Sequence, residues 1–139
     1  MIHRSNPAGV WGPRGRGFSM GVASAPGYTV NLTGQVAWDA EERIVGDGDV
    51  TEQTRQCFRN IQAVLADFGG TLEDVVSITT YYLAPQDLAL IQQVRGEFLD
   101  PDRGPASISI QAAGLGHPEF LVELVPVAVI APDRFKAPE

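Results

Sequence analysis

Hydrophobic and polar positions change their period several times along the chain, and each change predicts an element. Residues 18–25, FSMGVASA, alternate weakly, and APGY follows with turn chemistry. In YTVNLTGQVAW the alternation is clear, with Tyr28, Val30 and Leu32 set against Thr29, Asn31 and Thr33. This predicts two strands joined by a tight turn. In DGDVTEQTRQCFRNIQAVLADFGG, residues Cys57, Phe58, Ile61, Val64, Leu65 and Phe68 recur at helical spacing. Asp49 followed by Glu52 is a capping-box pair, and Gly69-Gly70 supplies the stop. VVSITTYYL is β-branched and aromatic, hence a strand. APQDLALIQQVRGEFL predicts a second helix, with Leu88, Ile91, Val94 and Phe98 on one face. GPASISIQ is a strand entered through chain breakers. Ile108 and Ile110 take one of its faces; Ser107, Ser109 and Gln111 take the other. The last run, FLVELVPVAVI, is nearly all apolar, which predicts a strand covered on both faces. Pro126 within it removes a ladder donor and belongs at a bulge or where pairing is incomplete.

The element order β-β-α-β-α-β-β predicts an α+β layer, a sheet packed against two helices. Residues 1–17, rich in Pro, Gly and Arg, read as an extended N-terminal arm. Residues 18–131 read as one domain and 132–139 as a C-terminal tail. Helices on one sheet face leave the other needing cover, so a homo-oligomer is expected. The chain has 139 residues, 44% hydrophobic and 19% charged, which fits one globular domain with a core. Its net charge of -7 argues against a general nucleic-acid binder. No apolar run approaches the ~20 residues of a membrane span. A single cysteine and no long apolar leader make the cytoplasm the expected compartment.

The usual catalytic sets are missing from the sequence. His3 and His117 have no metal-ligand spacing to another His, Cys or acid, so no metal site and no cofactor are expected. There is no Gly-rich phosphate loop with a lysine and no G-x-S-x-G elbow. Cys57 falls on the apolar helix face and reads as a buried thiol. Glu41, Glu42, Asp47 and Asp49 read as a solvated acidic loop. Glu123 is the acid out of place, because its strand neighbours are all apolar. An ionised, unpaired carboxylate there costs several kcal/mol. It is therefore paired across an interface, set on a pocket wall, or kept protonated. The pattern balances an interface ion pair against a general acid/base or water-positioning group.

The stretches TGQVAWD, VTEQTRQCFRNIQAVLADFGGTLEDVVSITTYYL, GPASISIQAAGL and LVELVPVAVI resemble the Rid family of reactive-intermediate deaminases, also called the YjgF family. The resemblance runs from about residue 17 to residue 130, with TQ-TR-x-x-x-x-NI, G-x-x-L-x-DVV and the TGQ turn in family order. It implies a fold like that of trimeric chorismate mutase, a homotrimer, and clefts between subunits. The better-known members hydrolyse 2-imino and enamine acids to keto acids and ammonia.

The resemblance also implies a site. Glu123 matches the acid that holds the attacking water in the family, and is the candidate catalytic residue. Candidate substrate-binding residues are Phe18, Thr33, Gly34, Gln35, Gln92, Ser107 and Ser109. The chain departs from the family pattern at several of these. Ser107 stands where imino-acid hydrolases carry an arginine that grips the substrate carboxylate, Ser109 where a cysteine is frequent, Phe18 where a tyrosine is usual, and Gln92 where an asparagine is often found. A guanidinium binds a carboxylate by a two-pronged pair that a hydroxyl cannot reproduce. This points to a substrate that is neutral or lacks a carboxylate beside the imine. A replacement cation is also considered. If the first strand extends back to residue 16, Arg16 shares the face of Phe18 and leans toward the cleft mouth; Gly15 and Gly17 favour a solvated arm instead. Trp38 is a further candidate at the cleft rim. Two readings follow: an imine or enamine deaminase with altered substrate preference, or a ligand-binding or regulatory trimer without turnover. The partners expected are two further copies of the chain and a small molecule, with no membrane and no nucleic acid.

Overall fold

The computed structural model describes residues 2–139. Met1, at the start of the expected arm, lies outside them. Among the described residues, six strands and two α-helices follow one another: β1 (Ile2–Ser5), β2 (Gly21–Ser24), β3 (Tyr28–Asn31), α1 (Val50–Asp67), β4 (Val75–Tyr82), α2 (Asp87–Phe98), β5 (Ala106–Gln111) and β6 (Val122–Ile130). The main sheet has the order β3-β6-β4-β5. Its β3–β6 and β4–β6 pairs are antiparallel, and β4–β5 is parallel. A parallel pair needs a crossover, which α2 supplies. The α+β architecture is the expected one.

Helix α1 begins where its cap residue predicts. The Asp49 side chain accepts from the Glu52 backbone N–H at 3.1 Å. The reciprocal half of the capping box is not made. Asp49 N–H donates to the Gly46 carbonyl, and the Glu52 carboxylate pairs with Arg55. At the other end, Gly69 N–H donates to Ala66 and Gly70 N–H to Leu65, the double closure of a Schellman motif. Phe58, Ile61 and Leu65 of α1 meet Ile91 and Val94 of α2 and the inner face of the sheet. The family-like residues of α1 stitch loops to this core. Gln53 donates to the Gly46 and Glu119 carbonyls and accepts from Leu121 N–H. Asn60 donates to the Val36 and Trp38 carbonyls.

Strand β6 alternates strictly. Val122, Leu124, Ala128 and Ile130 are wholly buried under the helices, and Glu123, Val125, Val127 and Val129 are half-buried on the other face. Cover on both faces, as the apolar run predicts, is therefore reached on one face within the single chain. Pro126 lies between the end of β3 and the isolated Gln35–Leu124 bridge. Its carbonyl accepts from Leu32 N–H on that side. The missing proline N–H thus falls in the gap between two stretches of pairing.

The N-terminal region differs from expectation in two ways. β2 and β3 do not form a hairpin; β2 pairs with β1 in a separate two-stranded sheet, and β3 pairs with β6. The arm is extended only in β1 and then turns back on itself at Arg14 to Gly17. The segment after that turn is held by the loop before β5, through Gly17 N–H to Pro101 and Ser19 N–H to Pro105. The tail is likewise packed. Phe135 stacks on Tyr28 at 3.7 Å between ring centroids, and Arg134 pairs with Asp74 at 2.6 Å.

Candidate functional site

Strand register divides the candidate residues between two faces. Tyr81 pairs with Glu123 on β6 and with Ile110 on β5, so these three share a face. Thr80 pairs with Leu124 and with Ser109, and Ile78 pairs with Ser107, on the opposite face. That second face is the one the helices cover. The serine face of β5 therefore does not look out beside Glu123, as one cleft within one chain would require. Ile108 and Ile110 look out on the Glu123 side, 59% and 41% exposed. Two strand spacings also separate Glu123 from β5, roughly 10 Å.

The first group gathers around Glu123. After β3 the chain bends away and rejoins β6 at Gln35, whose backbone exchanges hydrogen bonds with Leu124 at 2.7 and 3.0 Å. The Gln35 side chain donates back to the Thr33 carbonyl. This turn lays Gly34 against the Glu123 carboxylate so closely that a β-carbon there would overlap it. Thr33, Gly34, Gln35 and Glu123 are thus brought together. A carboxylate facing a turn, on a half-buried face, is well placed to hold a water or take a proton.

The second group gathers around a residue that the apolar spacing of α2 does not single out. Arg95 is 1% exposed. Its Nη1 donates to Ser107 Oγ at 3.1 Å, Thr80 Oγ1 at 3.4 Å and Ser109 Oγ at 3.4 Å. Its Nε is buried without an acceptor, and no carboxylate pairs with it among the described residues. Burial pushes the guanidinium down to about 10, and the charge of Arg16 adds to the effect. A guanidinium therefore does stand at Ser107, delivered from the neighbouring helix. The sequence signal was available. Arg95 lies four residues after Ile91 and three before Phe98, inside the apolar stripe, and is as out of place there as Glu123 is in β6.

Arg16 and Phe18 lie beside this group. The Arg16 guanidinium carbon sits 5.3 Å from the Phe18 ring centroid and 5.6 Å from that of Trp11. Its Nε and Nη2 donate to the Pro13 and Gly12 carbonyls. The face shared by Arg16 and Phe18 comes from a tight turn, not from a continued strand. Gly17 in that turn has φ +82°, which favours glycine, and a β-carbon on it would press on the Arg95 β-carbon at 3.1 Å. Gln92 is half-buried one helical turn before Arg95. Trp38 joins neither group and packs edge-on against Phe120 and His117.

Burial pushes the Cys57 thiol well above its ordinary range, with the Glu123 charge adding to it, which disfavours the thiolate. Among the described residues no three His, Cys, Asp or Glu side chains gather to hold a metal. No helix among them is long and apolar enough to cross a membrane. A cavity of about 650 Å³ lies between the end of α2, the segment entering β5 and the end of β6, and neither Glu123 nor Arg95 lines it. Its arginines have partners: Arg134 binds Asp74, Arg4 donates to the Glu73 carbonyl, and Arg103 donates to the Arg4 carbonyl.

Known proteins share this arrangement of elements. YyfB of Yersinia pestis, a protein of unknown function in the conserved Rid family, superposes with a TM-score of 0.87 at 34% identity, over 93% of this chain and 98% of that one. RidA of an Antarctic Psychrobacter superposes with a TM-score of 0.68 at 27% identity, over 91% and 94%. A RutC family protein of Pyrococcus abyssi is 30% identical over 102 residues, 73% of this chain and 79% of the relative. The family model described as Endoribonuclease L-PSP matches residues 15–130. Since that match spans both helices and all four strands of the main sheet, the chain belongs to the Endoribonuclease L-PSP family, which is the YjgF/Rid family.

Proposed function

We propose that the protein hydrolyses a reactive imine or enamine to a carbonyl compound and ammonia, in clefts between the subunits of a homotrimer. The observation that carries this reading is the Glu123 carboxylate lodged against the Gly34 turn on a strand whose other outward residues are valines. Glu123 accepts a proton from water as the water oxygen bonds to the imine carbon. Glu123 hands that proton to the imine nitrogen, giving a carbinolamine. Glu123 then takes the carbinolamine hydroxyl proton and passes it to that nitrogen; the C–N bond breaks, ammonia leaves, and the oxygen is left as the carbonyl. The substrate is already electrophilic, so a positioned water and one proton carrier suffice. The Thr33–Gln35 turn holds the reacting end.

Assembly supplies the rest of the cleft. Glu123 and the Arg95–Ser107–Ser109 group lie on opposite faces of one sheet, so a pocket using both takes each from a different copy. The exposed Ile108 and Ile110 and the half-buried valines of β6 offer the apolar surface for that contact. RidA, the similar Psychrobacter protein, belongs to the same family. The family description names an endoribonuclease, but a net charge of -7 disfavours a nucleic-acid groove.

The test is ammonia release from a panel of imines generated in solution, with and without a carboxylate beside the imine. Glu123→Gln should lower the rate by about 10²–10⁴-fold while the oligomer persists. Equal rates in parent and variant would remove Glu123 from the mechanism. Binding without ammonia release from any imine would favour a ligand-binding trimer.

A further inference from the structure

We propose that the cavity between the β1–β2 ribbon and the end of α2 is a separate ligand site, which takes a phosphate monoester on Arg4 and Arg103. The imine chemistry above makes no use of this cavity.

Its size and lining suit a small organic molecule. The volume of about 650 Å³ falls in the range of roughly 300–1,000 Å³ usual for ligand pockets. Ile2, Pro26, Leu72, Phe98 and Leu99 supply apolar lining. Arg4, Arg103 and Arg134 bring three cations to it, and Glu73, Asp74 and Asp100 bring three acids. The charges balance in number, but they are not paired one to one.

The acids and Arg134 are already engaged. Asp74 accepts two hydrogen bonds from Arg134 and one from Thr71 N–H. Asp100 closes its own turn, accepting from the N–H groups of Asp102 and Arg103 at 3.0 and 2.9 Å. Glu73 is exposed to water, and its charge acts on Arg134. Arg4 and Arg103 are left over, and neither pairs with a carboxylate among the described residues. Arg4 reaches from the ribbon to the Glu73 carbonyl with Nη2, at 3.0 Å, and its Nε is buried with no acceptor. Arg103 reaches the opposite way, from the segment before β5 to the Arg4 carbonyl, also at 3.0 Å with Nη2. A carbonyl satisfies one N–H but carries no net charge. Each guanidinium thus keeps most of its fork, and all of its charge, for something else.

Two forks on one cavity select the anion. A carboxylate brings one negative charge and two oxygens, which one guanidinium satisfies. A phosphate monoester brings about −1.5 to −2 at neutral pH and three terminal oxygens, enough for both arginines at once. Its organic body then lies on the apolar lining. Arg103 is exposed, so the phosphate is met at the rim. Arg4 belongs to the ribbon and Arg103 to the segment entering β5, so the bound phosphate ties one to the other, beside the existing bond from Asn6 to the Asp102 carbonyl.

The experiment is titration calorimetry on the full chain with phenyl phosphate, whose ring probes the apolar lining. Phenylacetate serves as the carboxylate counterpart and inorganic phosphate as the anion without a body. Phenyl phosphate should bind at least tenfold more tightly than phenylacetate and at least threefold more tightly than inorganic phosphate. Arg103→Met, altered at an exposed position, and Arg4→Met should each weaken phenyl phosphate at least tenfold. No binding at millimolar phenyl phosphate, equal affinity for phenylacetate or for inorganic phosphate, or unchanged affinity in either folded variant would overturn the assignment. Should a variant fail to fold, amide hydrogen exchange of the parent locates the ligand. Slower exchange in Ile2–Ser5 and residues 99–105 on adding phenyl phosphate supports the site, and slowing confined to residues 33–35 or 107–111 overturns it. None of these readouts involves ammonia release, so they stand apart from the Glu123→Gln result.

Discussion

Arg95 carries a charge that the folded protein holds less readily than the unfolded chain does, because burial disfavours the cation and Arg16 opposes it. The sign of the consequence follows from proton linkage. Below about 10, both folded and unfolded chains keep the proton, and the folded state bears the whole penalty. Above about 10 the folded chain releases the proton while the unfolded chain still holds it, so folding is favoured as pH rises. Arg95→Met has no such group. The unfolding free energy of the parent should therefore gain on that of Arg95→Met above pH 10, by up to about 1.4 kcal/mol per pH unit. Urea denaturation of both proteins from pH 8.5 to 11 would measure it; parallel curves would mean that Arg95 is not penalised by the fold. Glu123 and Arg95 make the same sequence signature, a charge on an apolar stripe. The strand version is easy to see because every neighbour is apolar, whereas on a helix the stripe must first be traced at 3.6-residue spacing.

At the scale of elements, caps and ties decide which predicted pieces hold. The short 3₁₀ turn Leu72–Asp74 before β4 carries a complete capping box, with Thr71 N–H donating to Asp74 at 2.8 Å. Arg134 of the tail adds two hydrogen bonds to the same carboxylate at 2.6 and 3.0 Å. Burial raises the Asp74 carboxyl, but the Arg134 and Thr71 hydrogen bonds outweigh it and hold the group below the usual carboxylate range. A depressed carboxyl stabilises the fold above its unfolded value and loses that contribution as pH falls through its folded value. Asp74→Asn should cost about 1–3 kcal/mol at neutral pH and flatten the acid limb of the stability profile. Denaturant titration between pH 7 and pH 3 checks both, and an unchanged acid limb would count against the tie. The tail residues that make it have no periodicity and were unreadable as structure. The α1 cap, by contrast, was readable from Asp49 alone, because a short acceptor before a helical stripe has few other uses.

The whole molecule leaves one sheet face incomplete. Val125, Val127 and Val129 stay half-buried beside exposed Ile108 and Ile110. If three copies close over these faces, light scattering should give three times the chain mass. Ile108→Asp combined with Val127→Asp should move the protein toward the monomer, because two carboxylates would then be buried without partners. A parent that scatters as a monomer at micromolar concentration would end both the trimer and the intersubunit cleft.

Local pattern by itself determined the two helices, the strands β4, β5 and β6, and the α+β class, because each period survives in a short window and needs no knowledge of neighbours. Pattern also singled out Glu123 and placed Pro126 where pairing lapses. Tertiary structure alone decided the rest. The partner of β2 depends on which edge it meets, and β1 comes from the segment read as an unpaired arm. Alternation in β5 separates serines from isoleucines but cannot say which set faces the helices; only the register with β4 settles that. Nor can a one-dimensional pattern bring Arg95 of the crossover helix to Ser107, twelve residues on in the strand that follows it. A guanidinium does reach Ser107, from the helix packed against its strand, and only the three-dimensional fold brings the two together, because the sheet register and the helix packing that place them are set by contacts distant along the chain.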